Sequence, residues 1–200
     1  MSVAEVDEYR QAIEPKGGQL DNRPDFIDEL WPDRPATPDD PIWVLDDVYT
    51  GRSVADKLSW LRGCMKENGC EAMLVNSLDE VAWLLNIRSA DIDFTPVVIA
   101  YLLVERGRAT LFTNPAKAAS PAVRQHLEVV GCVVRPYEEV TDVLRSLSFA
   151  THLWVDGSTL NEALYECATD ALKENVMNRP SPIRLEKGLK NDVELNGFRR

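Results

Sequence analysis

From residue 53 onward the sequence alternates between helical and strand patterns, and this alternation constrains the fold more than any other feature. The order is helix, strand, helix, two strands, helix, strand, helix, strand and helix. Such alternation is typical of a sheet with helices packed against it, and the two strands around "RGR" (106–108) predict a hairpin within it. We therefore predict an α/β fold, a mixed β-sheet flanked by helices on both faces, over residues 53 to about 180.

Local signals place the boundaries of these elements. Ser53 is a candidate cap for one helix, and Ser158 is a candidate cap for a helix over 158–175. Ser77 and Glu80 have the spacing of a capping box before an apolar run. The other predicted elements are strands at 71–75, 96–105, 109–114, 132–137 and 152–156, and helices at 120–131, 138–148 and 184–200.

The first fifty residues have a different character. Residues 1–14 carry a weak helical pattern, and a loop rich in Gly, Pro and Asn follows them. The stretch "DFIDELW" (25–31) predicts a short helix. Four prolines in the ten residues 32–41 exclude a helix or a central strand there. We therefore predict an appendage and a linker up to about residue 50, outside the main core.

Charge and hydropathy exclude two classes of partner. The chain has 22 Lys and Arg against 33 Asp and Glu, a net charge of −11, and it has no basic patch. We therefore expect no nucleic-acid partner. The longest apolar run, "VVIAYLLV", is far shorter than the roughly 20 residues that span a bilayer, and the acidic N-terminus is unlike a signal or transit peptide. We expect a cytoplasmic protein with no membrane contact.

The cysteines and histidines give no recognisable site. The cysteines form no CxxC pair, and buried, reduced thiols are the expected state. His126 and His152 are each isolated in the sequence, so they cannot supply a histidine-rich metal site. The cysteines are Cys64, Cys70, Cys132 and Cys167.

The segment "NSLDEVAWLLNIRSADIDFTPV" (76–97) places several carboxylates around Arg88. Asp91 and Asp93 form a DxD pair that could bind a divalent cation, but such a site needs several converging oxygens. A polar loop whose acids are solvated, or pair with Arg88, explains the same residues. The neighbouring Asp79 and Glu80 could be an acid/base pair, but helix capping and the helix dipole account for both.

Other catalytic patterns are missing from the sequence. There is no GxSxG, no HExxH and no glycine-rich phosphate loop. The residues alone therefore indicate an α/β domain with no catalytic residue and no metal ligand of its own.

Four stretches of the sequence carry a family resemblance when they are taken together. They are "LWPDRPATP" (30–38), "YTGRSVADKLSWLR" (49–62), "SLDEVAWLLNIRSADIDFTPVVIAYLLV" (77–104) and "SPIRLEKGLKNDVELNGFRR" (181–200). In this order and spacing they resemble eukaryotic-type, cytosolic, three-domain Xaa-Pro aminopeptidases (aminopeptidase P). The resemblance covers residues 30–200 and is loose over the first thirty.

The resemblance implies a domain organisation. Residues 1–50 would be the end of a first N-terminal domain and its linker. Residues 53–180 would be a middle domain of the creatinase/prolidase N-terminal type, with a ribonuclease H-like fold. Residues 181–200 would begin a C-terminal catalytic "pita-bread" domain. The helical pattern reaches Arg200 without a C-terminal cap, so we expect the chain to be part of something longer.

The resemblance also implies an activity for that longer protein. In the family the catalytic domain holds two metal ions, usually manganese, and removes the N-terminal residue from peptides with proline in second position. We expect a homodimeric parent of this kind that acts on proline-containing peptides, and an inactive chain without Mn²⁺ by itself. The residues that match the family's KN-x-x-E-x-x-G-x-R motif are Lys190, Asn191, Glu194, Gly197 and Arg199.

One loop departs from the family pattern. Ser89 and Ala90 stand where Gly-Ser is typical, so Ser89 would be strained if the glycine supplies a positive φ. By analogy this loop faces the catalytic cleft, and Arg88, Asp91 and Asp93 are the candidates for substrate access or contact.

Two alternatives remain open. The chain could be a peptide- or histone-binding pseudo-enzyme module, since the large subunit of the FACT histone chaperone uses related domains without hydrolysis. It could also derive from a prolidase or creatinase, although "LWPDRP" (30–35) favours the three-domain family. The sequence after Arg200 would distinguish an active enzyme from a pseudo-enzyme module, because it either contains the metal ligands or lacks them.

Overall fold

A computed structural model of the chain describes residues 1–21 and 27–199 and confirms the predicted fold class. The strands in these residues are β1 (Trp43–Val44), β2 (Ala72–Val75), β3 (Ile87–Arg88), β4 (Tyr101–Glu105), β5 (Ala109–Phe112), β6 (Cys132–Arg135), β7 (Leu153–Val155) and β8 (Val176–Asn178). Six of them form a mixed sheet of order β6-β5-β4-β2-β7-β8. β4 runs antiparallel to β2 and β5, and the other pairs are parallel. β1 and β3 form a separate antiparallel pair.

Helices cover both faces of the sheet. Those described are α1 (Val3–Ile13), α2 (Ile27–Leu30), α3 (Asp47–Thr50), α4 (Val54–Glu67), α5 (Leu78–Leu84), α6 (Pro121–Val129), α7 (Val140–Ser146), α8 (Glu162–Leu172), α9 (Pro182–Gly188) and α10 (Asp192–Phe198). Successive strand residues point to opposite faces. Met73 accordingly packs in the cluster of α4, α5 and α6, and Leu74 packs in the cluster of α7 and α8.

Two local predictions are confirmed. The amide of Asp56 donates to the Ser53 side chain at 3.1 Å, so Ser53 caps α4. β4 and β5 form the predicted hairpin, with Tyr101 opposite Phe112.

The predicted Ser158 cap is wrong. α8 begins at Glu162 and is capped by Asn161, whose side chain accepts from the amide of Leu164 at 2.9 Å. Ser77 is the N-cap residue of α5, as predicted, but the predicted capping box does not form, since among the described residues no amide donates to the Ser77 side chain. Glu80 is instead turned towards α9, where it accepts from the Ser181 hydroxyl at 2.8 Å.

The strand predicted at 96–105 begins only at Tyr101, because side chains satisfy the backbone before it. The amide of Ile99 donates to Asp91 at 2.7 Å, and its carbonyl accepts from the Thr113 hydroxyl at 2.9 Å. The two- and three-residue strands β1, β3 and β8 were not predicted, since such short stretches show no alternation.

The helix predicted at 184–200 is two helices. Leu189 is extended, with ψ 102°, and ends α9. Asn191 and Glu194 then form a capping box that starts α10.

The N-terminal residues pack against the α/β body. Val3 and Val6 of α1 are buried, and the amide of Val3 donates to the carbonyl of Leu160 at 3.0 Å. Ile42 belongs to the main core. The predicted appendage therefore contributes to the core at both of its ends, while Asp25 and Phe26 of the predicted short helix lie outside the described residues.

Candidate functional site

The three residues predicted to face a cleft occupy three different environments. Arg88, at the end of β3, is half-buried and donates through Nη1 to the carbonyl oxygens of Ala82 at 2.7 Å and Ile87 at 2.8 Å. Asp91 is buried and Asp93 is exposed. The sequence places these side chains near one another, but the fold separates them.

Asp91 forms a buried ion pair with Lys117. Their side chains are 0% and 1% exposed. The carboxylate also accepts from the amide of Ile99 at 2.7 Å and from the hydroxyl of Ser89 at 3.0 Å. The interpretation in which Asp91 pairs with Arg88 is therefore wrong. The Asp91 side chain is therefore not accessible to a substrate, and its hydrogen bonds and ion pair fix the position of the loop.

The loop after Asp91 is a tight, exposed turn. The amide of Thr95 donates to the carbonyl of Ile92 at 3.1 Å, which places Asp93 and Phe94 at the tip. Phe94 has φ 63° and a fully exposed ring, whereas Ser89 is not among the described residues with positive φ. The strain considered for Ser89 is therefore absent there, and Phe94 adopts the left-handed conformation instead.

A pocket of about 350 Å³ opens beside Arg88, between α3, the end of α5 and α10. We call it the Arg88 pocket. Aromatic side chains form part of its wall, and three cations and one carboxylate also line it. Its lining residues are Leu45, Tyr49, Thr50, Lys57, Trp83, Asn86, Arg88, Lys190, Glu194, Gly197 and Phe198.

Lys57 is a buried cation at the base of this pocket, and the residue is 1% exposed. Its Nζ donates to the carbonyl of Trp83 at 2.9 Å and to Oδ1 of Asn86 at 2.6 Å. The same Nζ lies 4.3 Å from the centroid of the Trp83 ring, within the range of a cation–π interaction. Burial lowers the pKa of Lys57 to about 8, and the Glu194 carboxylate partly opposes that shift.

Asn86 connects Lys57 to α3. Its Nδ2 donates to Oδ1 of Asp47 at 2.9 Å, and it is within hydrogen-bonding distance of the Thr50 hydroxyl and the carbonyl of Arg52. Asn86 has φ 49°, a conformation that Asn tolerates better than most residues. One buried side chain therefore joins β3, α3 and α4.

α10 packs closely against α3. Nδ2 of Asn191 donates to the carbonyl of Thr50 at 2.8 Å. Gly51 has φ 65°, and a Cβ atom there would lie 2.5 Å from Oδ1 of Asn191. Only glycine meets both conditions without strain.

The Arg88 pocket brings together three of the four stretches on which the family resemblance rests. Its lining residues come from residues 49–62, which include Lys57, from residues 77–104, which include Arg88, and from residues 181–200, which include Glu194. Arg88 was predicted from the sequence as a candidate residue, whereas Lys57 and Asn86 were not. Lys57 could have been noticed as a cation on the apolar face of α4, three residues after Val54 and four before Leu61.

The paired acids Asp79 and Glu80 are also separated by the fold. Asp79 is exposed and forms an ion pair with Lys187 at 2.7 Å, whereas Glu80 is buried. Burial raises the pKa of Glu80, and the Ser181 hydroxyl bond partly opposes that rise. Both residues contact α9, so their geometry is that of a helix contact.

The described residues do not offer a metal site. Among them no three His, Cys, Asp or Glu side chains converge. His126 lies 2.7 Å from the carbonyl of Leu85, and His152 bonds to Glu71 at 3.0 Å. Two manganese ions would therefore not fit in this part of the chain. No helix in the same residues has the length and apolarity needed to cross a membrane.

Comparisons with known proteins point to one family. The model of the creatinase/prolidase N-terminal domain matches residues 33–194. A probable Xaa-Pro aminopeptidase P of Laccaria bicolor is 36% identical over all of this chain. Aminopeptidase P2 of Arabidopsis thaliana is 34% identical over 87% of it. The chain spans only 31% and 28% of the lengths of these relatives.

A solved structure gives the same result. The X-prolyl aminopeptidase of Caenorhabditis elegans, described as a cytosolic enzyme with a di-nuclear active site, superposes with a TM-score of 0.89 and 28% identity. The match covers 99% of this chain and 33% of the worm protein. The chain therefore corresponds to about a third of that enzyme.

Removing the buried carboxylate should cost much more stability than removing the exposed one. Asp91→Ala leaves the Lys117 cation buried without a partner, and we expect it to lower the free energy of unfolding by about 3–5 kcal/mol. Asp93→Ala should change it by less than about 0.5 kcal/mol. Urea denaturation of the two variants measures the difference, and equal values would show that the ion pair does not hold the loop.

The buried ammonium of Lys57 should make stability depend on alkaline pH. The pKa of Lys57 is about 8 in the folded chain and 10.5 for an ordinary lysine. Between these values the unfolded chain binds more protons, so the free energy of unfolding should rise with pH in this window, by on the order of 3 kcal/mol in total.

Urea denaturation of the native chain and of Lys57→Met between pH 8 and 10.5 isolates this effect. Burial raises the pKa of Cys132 and of Tyr137, which makes the free energy of unfolding fall as the pH rises. The native chain and Lys57→Met share these two groups, so their effect cancels in the comparison. The native chain should gain stability relative to Lys57→Met, and Lys66→Met, on the exposed side of α4, should behave as the native chain. Parallel curves for all three would contradict the assignment.

Proposed function

Because this chain belongs to the creatinase/prolidase N-terminal domain family, we propose that it is the noncatalytic middle domain of an Xaa-Pro aminopeptidase. The observation that carries the proposal is similarity over the full length of the chain. The relatives bear the name Xaa-Pro aminopeptidase P or aminopeptidase P, and the worm structure superposes over nearly every residue.

The proposed domain organisation follows the same relatives. Residues 1–50 are the end of a first N-terminal domain with its linker, and residues 53–180 are the middle domain. Residues 181–200 begin the catalytic domain. The start of the catalytic domain is proposed from the family's motif. The Asn191 capping box starts α10, and the residues that match the motif lie in this helix and directly beside it.

The chemistry of the longer protein is proposed to reside outside this chain. That protein would remove the N-terminal residue from peptides whose second residue is proline, with two Mn²⁺ ions held by its C-terminal domain. The described residues hold no converging metal ligands, which supports placing the ions elsewhere. A cytoplasmic location accords with the description of the worm enzyme as cytosolic, and a homodimer is part of the proposal.

Within such an enzyme, the loop that carries Arg88, Asp91 and Asp93 is proposed to shape the entrance to the catalytic cleft. The half-buried Arg88 and the exposed Asp93 are the residues that can contact a peptide. Asp91 acts through its ion pair with Lys117, as a positioning residue.

The proposal predicts that the purified 200-residue chain, supplied with Mn²⁺, releases no arginine from Arg-Pro-Pro. The same chain extended by the sequence that follows it in its gene should release arginine. Release by the short chain would overturn the assignment of a noncatalytic role. Inactivity of the extended protein would favour the alternative, a peptide- or histone-binding module without hydrolysis.

The role of the loop can be tested in the extended protein. Arg88→Ala should raise KM for Arg-Pro-Pro by roughly tenfold, the effect of one charge-assisted hydrogen bond. Arg145→Ala is the matched control, because Arg145 is an exposed arginine on α7. If Arg88→Ala changes neither kinetics nor stability, the loop does not contact the substrate.

A further inference from the structure

We propose that the Arg88 pocket binds a carboxylate attached to an apolar group, such as the C-terminus or an acidic side chain of a peptide. The proposal rests on the proposed function only in choosing a peptide as the source of that carboxylate. The binding itself follows from the charge, donors and walls of the pocket.

The charge of the pocket is opposite to that of the chain. Lys57, Arg88 and Lys190 line it against the single carboxylate of Glu194, whereas the whole chain has a net charge of −11. A local excess of cations in an acidic protein attracts anions to one place.

Arg88 is fixed in place and still has free donors. Two backbone carbonyls, those of Ala82 and Ile87, hold its Nη1. Among the described residues, Nε and Nη2 have no acceptor. An immobilised guanidinium with two nitrogens available can receive a carboxylate through paired hydrogen bonds, and little side-chain entropy is lost on binding.

Lys57 adds a second fixed positive charge below Arg88. Its ammonium donates to Trp83 and Asn86 and is not paired with a carboxylate in those contacts. Because burial weakens solvent screening, its field in the pocket is stronger than that of a surface lysine. An anion in the pocket would offset the cost of burying this charge.

The walls of the pocket suit an apolar group next to the carboxylate. Tyr49 is 65% exposed and Phe198 is 78% exposed, although both are large aromatic side chains. Together with Trp83 they line the pocket, and an apolar ligand would remove part of their surface from water. A volume of about 350 Å³ is at the lower end for small-molecule sites, which suits a single amino-acid residue.

The test uses the 200-residue chain without metal, and N-acetylphenylalanine and its amide, N-acetylphenylalaninamide, as probes. Titration is followed by the NMR signal of the Trp83 indole N–H, identified by its loss in Trp83→Phe. The acid should shift this signal saturably, and the amide should bind roughly ten- to a hundredfold more weakly. Equal binding of acid and amide, or no saturation by either, would overturn the proposal.

Three variants show where the acid binds. Arg88→Gln should weaken its binding roughly ten- to a hundredfold, and the control Arg145→Gln should not. Since Arg88→Gln also removes bonds to backbone carbonyls, Lys190→Gln provides a test on an exposed side chain, with an expected loss of roughly two- to fivefold. Unchanged binding of the acid in both Arg88→Gln and Lys190→Gln would contradict the assignment of the Arg88 pocket as the binding site.

Two tripeptides distinguish the sources of the carboxylate. Acetyl-Gly-Gly-Phe has a free C-terminus, and acetyl-Gly-Asp-Phe-amide has only a side-chain carboxylate. Tighter binding by either one supports the pocket and identifies its ligand, whereas binding by neither contradicts it. Because these measurements need no hydrolysis, their outcome is independent of the Arg-Pro-Pro assay.

Discussion

The buried side chain of Asn86 is the interaction on which the arrangement of the candidate site depends. It accepts from the ammonium of Lys57 on one side and donates to Asp47 and its neighbours in α3 on the other. A buried ammonium is costly unless its protons find acceptors, and Asn86 supplies one of them. The same amide fixes α3 relative to β3. Asn86 therefore stabilises both the Lys57 charge at the base of the Arg88 pocket and the position of α3, which forms one wall of the pocket.

The other wall depends on a second contact, between α10 and α3. Asn191 caps α10 and also donates to the carbonyl of Thr50. Gly51 permits this close approach because it has no Cβ atom. α10 brings Lys190, Glu194 and Phe198 to the pocket. In the proposed enzyme α10 belongs to the first residues of the catalytic domain, so this contact would join the middle domain to the catalytic one.

The fold could be predicted because the sheet is buried on both faces by amphipathic helices. Neighbouring strand residues such as Met73 and Leu74 pack in the two hydrophobic clusters on opposite faces of the sheet, and the helices that cover them have apolar residues at helical spacing. Caps and strand ends were predicted less well, since contacts distant in sequence decide them. Glu80 accepts from Ser181 instead of capping α5. Asp91 accepts a hydrogen bond from the amide of Ile99, which would pair with a neighbouring strand if β4 began earlier.

The candidate site could be predicted only in part. The resemblance identified Arg88 and the motif that begins at Lys190, but no local pattern shows that residues a hundred positions apart share a pocket. Asp91 was selected as a residue that faces a cleft by analogy with the family, and the resemblance does not show which side chains of the loop are buried. The partner of Asp91, Lys117, lies in a distant turn, and that pairing buries Asp91.

The most direct test of this account is amide hydrogen exchange in α10. Gly51→Ala forces a Cβ atom against Asn191 at a positive φ, so the α10 amides should exchange roughly five- to a hundredfold faster than in the native chain, while those of α8 stay unchanged. Gly63→Ala, at an open position in α4, should leave α10 unaffected. Equal exchange of α10 in the native chain and both variants would show that the contact between α3 and α10 does not hold the pocket together.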